Sequence, residues 1–211
     1  MKLVCGLGNP GSRYARTRHN AGFMAVELFA EPHRPSWSER WDGRVSRLAV
    51  HGEDLALVLP QTFMNLSGQS VSQVARFFQV ESSNVLVVHD EVDHPLGRVT
   101  VKMGGGDAGH KGVRSVIEHL GTNDFARVGV GVGRPESPED GDVVDFVLRP
   151  FRDTERDLVE AALKKAAEAI GEWVIGGVPK AQNRVNRRER PNQPSCPGDQ
   201  RDPGPLDRKE V

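Results

Sequence analysis

The chain has 211 residues, a mass of 23.1 kDa, 37% hydrophobic residues and a formal net charge of -1. That length suits one α/β domain with a real core, and the near-neutral balance excludes nucleic-acid binding by overall charge, so any such binding needs a local basic face. Cys5 and Cys196 give neither a disulfide framework nor thiolate metal spacing, no basic-then-apolar leader opens the chain, and no apolar run approaches the roughly 18 residues of a membrane span; the expectation is a cytoplasmic protein.

In chain order, Leu3-Val4-Cys5 reads as a strand entering the turn Gly6-Leu7-Gly8-Asn9-Pro10-Gly11, where Pro10 pushes Asn9 towards an extended conformation at the strand's end. His19 and Asn20 precede the apolar run Phe23, Val26, Leu28 and Phe29, which predicts a helix over about 20–30 with Asn20 as its N-cap. Residues 45–50 and 55–59 read as a hairpin around Gly52-Glu53-Asp54. Ser67 is placed to cap a helix carrying Val71, Val74, Ala75, Phe77 and Phe78, directly after Phe63-Met64-Asn65. Val85-Leu86-Val87-Val88 reads as a strand buried on both faces, delivering His89-Asp90-Glu91 at its carboxyl end, where open α/β sheets carry function. A strand over 99–103, the glycine-rich segment 104–112, a helix over about 112–120 and an interior strand over 125–132 follow. Residues 143–148 read as a short extended piece. Thr154 and Asp157 resemble a capping box opening a long amphipathic helix that ends at Gly176-Gly177, with a short segment after Pro179. The domain is expected over 1–187, and the proline- and charge-rich stretch 188–211 has almost nothing to bury and reads as a disordered tail.

Several residue sets could carry chemistry. Gly6-x-Gly8-x-x-Gly11 alone would suggest a dinucleotide turn, but Arg13, Tyr14, Arg16, Arg18 and His19 after it lack a helical apolar stripe, which argues against that reading. His19 and Asp90 suit a base and its orienting carboxylate; a helix-covering histidine and a turn-capping aspartate are the reading that spacing alone favours. A metal set from His89, Asp90, Asp93, His94 and His110 is disfavoured, since a strand points His89 and Asp90 to opposite faces. Asn9, Asn20 and Asn65 can read peptide backbone or hold an oxyanion, and Asn is also a turn residue. Arg13, Arg16, Arg18, Lys102, Lys111, Arg114 and Arg127 gather around the glycine turns and can meet phosphates, or form an ordinary solvated face.

Together the segments resemble the bacterial-type peptidyl-tRNA hydrolase family. The resemblance rests on Gly6-Leu7-Gly8-Asn9-Pro10-Gly11, Tyr14, Thr17-Arg18-His19-Asn20-Ala21-Gly22, Thr62-Phe63-Met64-Asn65-Leu66-Ser67-Gly68, His89-Asp90-Glu91-Val92-Asp93, Gly104-Gly105-Gly106 and Gly109-His110, and leaves only the tail uncovered. It implies a monomer with a mixed, twisted central sheet between helices, hydrolysis of the ester joining a peptide to tRNA, and no metal or organic cofactor. It also implies roles: His19 as general base, Asp90 as its orienting partner, Asn9 reading the acylated amino group, Asn65 holding substrate or water, Phe63 and Met64 shaping the groove, Tyr14 meeting the tRNA end and Lys102 a tRNA phosphate.

Two departures stand out. Lys111 occupies a position where the family usually has Asn, which makes it a substrate contact of altered chemistry, and Gly129 with Glu136, Glu139, Asp140 and Asp142 replaces a more basic region. These favour the alternative of a catalytically weakened relative that binds RNA, whereas retention of Asn9, His19, Asn65 and Asp90 favours the enzyme.

Overall fold

The computed structural model describes residues 1–186; the stretch expected to be a tail lies outside the described residues. Seven strands, β1 (Lys2–Gly6), β2 (Ser38–Arg40), β3 (Gly43–Val50), β4 (Glu53–Pro60), β5 (Val85–Glu91), β6 (Val99–Met103) and β7 (Ala126–Gly131), form one mixed sheet in the order β2-β3-β4-β1-β5-β7-β6. β4, β1, β5 and β7 run parallel, while β3 and β6 are antiparallel to their neighbours. Four of the described helices pack against it, α1 (Ala21–Ala30), α2 (Ser67–Phe77), α3 (Lys111–Leu120) and α5 (Arg156–Asn186), while the short α4 (Val143–Val147) lies against the turn Arg18–Asn20 before α1.

The period of two along the strands divides the core. Val4, Leu57, Leu86 and Val88 join Val26, Ile170 and Trp173 of α1 and α5, while Leu3, Cys5, Val58, Val85 and Val87 join Val71, Val113 and Val116 of α2 and α3. Both faces are covered, so all seven residues of β5 are buried and its sequence is a continuous apolar run until the site begins. Each such Val or Leu stabilises the fold by about 1.5–3 kcal/mol relative to exposure. Helices α2 and α3 approach so closely that a Cβ on Gly68 would lie 2.0 Å from the carbonyl oxygen of Ser115, and the Gly68 N–H donates to Ser115 Oγ at 3.0 Å.

Five local expectations are corrected. Asn20 occupies the N-cap position of α1, but its side chain makes no capping bond, because it is committed to Asn9. Ser67 is the first residue of α2 and donates to the Met64 carbonyl rather than capping. Residues 143–147 are helical rather than extended, since the Asp142 carboxylate accepts the Asp145 N–H at 2.8 Å and fixes a helix start that alternation of apolar residues concealed. The entry to α5 uses Glu155, whose carboxylate accepts the Arg152 N–H at 2.6 Å, in place of the Thr154/Asp157 pair. The hairpin turn is tighter than expected: His51 and Gly52 both have positive φ, so β4 begins at Glu53 rather than Leu55, while β3 ends at Val50 as expected. The long helix does break at Gly176 and Gly177, whose non-helical dihedrals let the segment from Pro179 fold over the outer strand, with Gln182 donating to the Val101 carbonyl at 3.1 Å.

Candidate active site

The site lies at the carboxyl ends of β1, β4 and β5. Parallel pairing sets Gly6 beside Val88, and the Leu7 N–H still reaches the Val88 carbonyl at 2.8 Å, so the turn after β1 runs alongside His89 and Asp90. Gly22 lets α1 start against that backbone: a Cβ there would be 2.3 Å from the Val88 oxygen and 2.6 Å from the Leu7 nitrogen and oxygen. The close approach carries His19, just before α1, over Asp90.

His19 Nδ1 lies 2.9 and 3.0 Å from the two Asp90 oxygens. A carboxylate only accepts here, so Nδ1 bears the proton and Nε2 keeps a lone pair, to which the described residues offer no partner. Asp90 is 2% exposed; burial pushes its carboxyl up, but the facing His19 and His110 imidazoles outweigh that and hold it well below the usual carboxylate range. It is therefore an anion at neutral pH, able to hold one His19 tautomer and stabilise the imidazolium that forms on proton uptake.

Asn9 is fixed at three atoms. Its backbone N–H donates to Asn20 Oδ1 and its carbonyl accepts from Asn20 Nδ2, both at 2.9 Å, while its own Oδ1 accepts the Met64 N–H at 2.9 Å. These bonds fix the orientation of both amides and leave Asn9 Nδ2 as the atom without a protein partner among the described residues. Asn20, 2% exposed, is thus a positioning residue that local sequence signals missed: its partner lies eleven residues back across a turn.

A cleft of about 710 Å³ contains Asn9, Tyr14, His19, Phe63, Met64, Asn65, Asp90 and Lys111 among its lining residues. Phe63 is 64% exposed and Met64 is buried, Asn65 is exposed in the turn before α2, and Lys111 stands exposed at the first turn of α3. Lys102 lies elsewhere, half-buried on β6 opposite Arg127. A groove of about 720 Å³ between α1 and α5, lined by Met24, Trp37, Leu163 and carboxylates including Glu27 and Glu160, holds no such convergent set, so the carboxyl-end cleft is the candidate site.

The basic cluster is partly dismantled. Arg18, 2% exposed, donates to Glu155 at 2.6 and 2.9 Å and to the Pro150 carbonyl at 2.6 Å, its guanidinium 4.2 Å from the Phe146 ring centre; it pins the segment around α4 beside His19. Arg127 donates to the Gly105 and Gly106 carbonyls at 2.6 Å each, and Arg114 pairs with Asp107. These three serve structure rather than phosphate.

Of the residues weighed as metal ligands, Asp93 pairs with Arg134, and His89 is 3% exposed with Nδ1 donating to the Asp90 carbonyl at 2.7 Å. Burial pushes His89 down to about 3, so it is neutral. Donor atoms of His19, Asp90 and His110 lie within 4.8 Å of one another. His110 Nδ1 accepts the Gly112 and Val113 N–H groups at 3.1 and 3.2 Å, which places the ring proton on Nε2, against Asp90 Oδ1 at 2.8 Å. A nitrogen bearing a proton has no lone pair for a cation, so this donor set does not fit a metal.

Comparison with known proteins agrees with this geometry. Residues 3–193 match the family model described as peptidyl-tRNA hydrolase. The chain is 44% identical to a peptidyl-tRNA hydrolase of Syntrophomonas wolfei, over 88% of this chain and 100% of that one, and 49% identical to one of Frankia casuarinae, over 87% and 93%. The crystal structure of peptidyl-tRNA hydrolase from Acinetobacter baumannii superposes with a TM-score of 0.82 at 39% identity, over 89% of this chain and 95% of that one. Fold, cleft and sequence thus converge: the chain belongs to the peptidyl-tRNA hydrolase family.

Proposed function

We propose that this chain performs its family's reaction, hydrolysis of the ester between peptide and tRNA, with His19 as general base and Asp90 as the carboxylate that orients it. The observation that carries the assignment is the bond from His19 Nδ1 to Asp90, 2.9 Å long, which leaves the Nε2 lone pair in the cleft. Nε2 takes a proton from water as the water oxygen bonds to the ester carbonyl carbon. The tetrahedral adduct then expels the ribose oxygen, which takes that proton back from Nε2. The Asn65 amide, exposed at the cleft, is the donor placed to meet the oxyanion.

Asn9 supplies the selectivity. Its Oδ1 is held by Met64, so it offers the cleft a donor, which suits the carbonyl oxygen of an acylated amino group. A free aminoacyl-tRNA offers an ammonium there, a cation facing an N–H donor, and is disfavoured. Tyr14 would stack on the tRNA end, Phe63 and Met64 would wall the groove, and Lys111 would add a cation beside the substrate. Lys102, away from the cleft, would contact a tRNA phosphate, making binding salt-sensitive but indifferent to sequence. Action as a monomer follows from the family resemblance, and a substrate made during translation supports a cytoplasmic location. The domain over 1–187 would suffice for activity.

Single-turnover hydrolysis of an N-acyl-aminoacyl-tRNA, with free aminoacyl-tRNA as control, tests this reading. The expected result is cleavage of the blocked substrate only, reduced by about 10³-fold or more in His19→Ala. Wild-type turnover in that variant would overturn the assignment of the base, and tight tRNA binding without cleavage would move the protein to the RNA-binding alternative.

A further inference from the structure

Asp90 serves two histidines, and the mechanism uses one. Its Oδ1 takes His19 Nδ1 at 2.9 Å and His110 Nε2 at 2.8 Å, and both rings are largely buried, with side-chain exposures of 13% and 9%. The hydrogen-bond inventory leaves His110 one state. Two backbone N–H groups, from Gly112 and Val113, point at Nδ1, so Nδ1 must carry a lone pair and Nε2 must carry the proton that Asp90 receives. In that state His110 closes the N-terminus of α3 with one nitrogen and occupies the catalytic carboxylate with the other.

We infer that His110 is a positioning residue for the reaction: the bond from its Nε2–H to Asp90 Oδ1 fixes the carboxylate against His19 and draws off part of the negative charge that His19 would otherwise face. The inference rests on the roles proposed for His19 and Asp90. Without the second donor, a buried carboxylate would present its whole charge to one imidazole, hold the imidazolium too firmly and leave less of the free base at neutral pH. The same ring ties the Asp90 position to the start of α3, where Lys111 enters the cleft. Other charged and titratable groups around the pair are His89, whose ring centre is 5.1 Å from that of His110, and Glu91, Lys111 and Arg134 along the cleft.

Two substitutions separate the two bonds. His110→Asn puts an amide oxygen near the place of Nδ1 and keeps the helix cap but cannot reach Asp90; His110→Gln puts an N–H near the place of Nε2 and keeps the bond to Asp90 but loses the cap. The full chain, with ¹⁵N-labelled histidine, is followed by NMR from pH 5 to 9 alongside kcat/KM. In His110→Asn the His19 titration midpoint and the acid limb of kcat/KM are expected to move up by about 0.5–1 pH unit, with activity at pH 7 down about three- to tenfold and Tm nearly unchanged. In His110→Gln the midpoint should stay near the wild-type value while Tm falls by about 2–4 °C. A wild-type midpoint and turnover in His110→Asn would overturn the inference, as would equal shifts in both variants. The wild-type spectrum is a second test that needs no variant to fold: a His110 protonated on Nδ1 would also overturn it. Activity surviving in His19→Ala would strike the proposed base instead, leaving the NMR result for His110 readable on its own.

Discussion

The two glycine-rich turns that flank the cleft are held in opposite ways. In the turn after β1, glycine is needed for space: a Cβ on Gly6 would come within 2.6 Å of the Gly22 oxygen and one on Gly8 within 2.6 Å of the Phe23 ring, while Asn20 and Met64 bind Asn9 on three atoms. In the segment 104–109, a Cβ on Gly105, Gly106 or Gly109 would meet nothing within 4 Å, and at Gly104, Gly105 and Gly109 glycine answers instead to a positive φ. That second segment is secured by hydrogen bonds, from Arg127 to two of its carbonyls and between Asp107 and Arg114. One wall of the cleft is thus packed and the other tethered. The recognition role proposed for Asn9 belongs to the packed wall.

Substitutions can break this contrast. The largest effect is expected from Gly22→Ala, where the new methyl meets the backbone of β5 at Val88 and of the turn after β1 at Leu7: a loss of about 4 kcal/mol or more, read as a Tm fall of well over 10 °C or as failure to fold. Next is His89, on the strand between the walls. The unfolded ring takes a proton below about pH 6.5 and the folded one only near 3, so in that window the unfolded state binds more protons and stability falls as pH falls. His89→Leu should flatten this dependence by a few kcal/mol, measured as urea midpoints at pH 7 and pH 4; Asp90, with its lowered value, contributes acid sensitivity only below about pH 4. Asn20→Ala releases Asn9 and should cost about 100-fold in kcat/KM, with a smaller loss of stability. Arg127→Met loosens the tethered wall and should raise KM by about tenfold while leaving kcat within about twofold. Gly106→Ala, in open space, should stay within about 0.5 kcal/mol of wild type. A large loss there, or a silent Gly22→Ala, would erase the distinction between the walls.

Legibility follows the same division. Apart from the short, exposed β2, which periodicity does not reveal, the strands and main helices can be read because both sheet faces are buried, and β5 advertises the site by ending an apolar run in His89-Asp90-Glu91. The motifs that carry the family resemblance surround the cleft in the structure. What sequence could not supply was pairing across the fold. Spacing alone favours capping over chemistry for His19 and Asp90, and only the β1–β5 register brings them together. Asn20 looked like a cap because caps are local and its real partner is not. Arg18 and Arg127 read in the sequence as solvated or phosphate-facing cations, because a buried cation cannot be told from a solvated one until its carbonyl and carboxylate partners are placed. Residues 143–147 look extended by alternation, and a single Asp142 carboxylate decides for helix.

The break at Gly176 and Gly177 bears on how the molecule behaves in a crowd. β6 ends the sheet, and an uncovered terminal strand offers its backbone groups to any other chain that can add a strand. The redirected end of α5 crosses that border and takes up the Val101 carbonyl through Gln182, and the opposite border is a strand of only three residues. A protein that works beside newly made, unfolded peptides therefore presents them with little edge on which to grow a sheet.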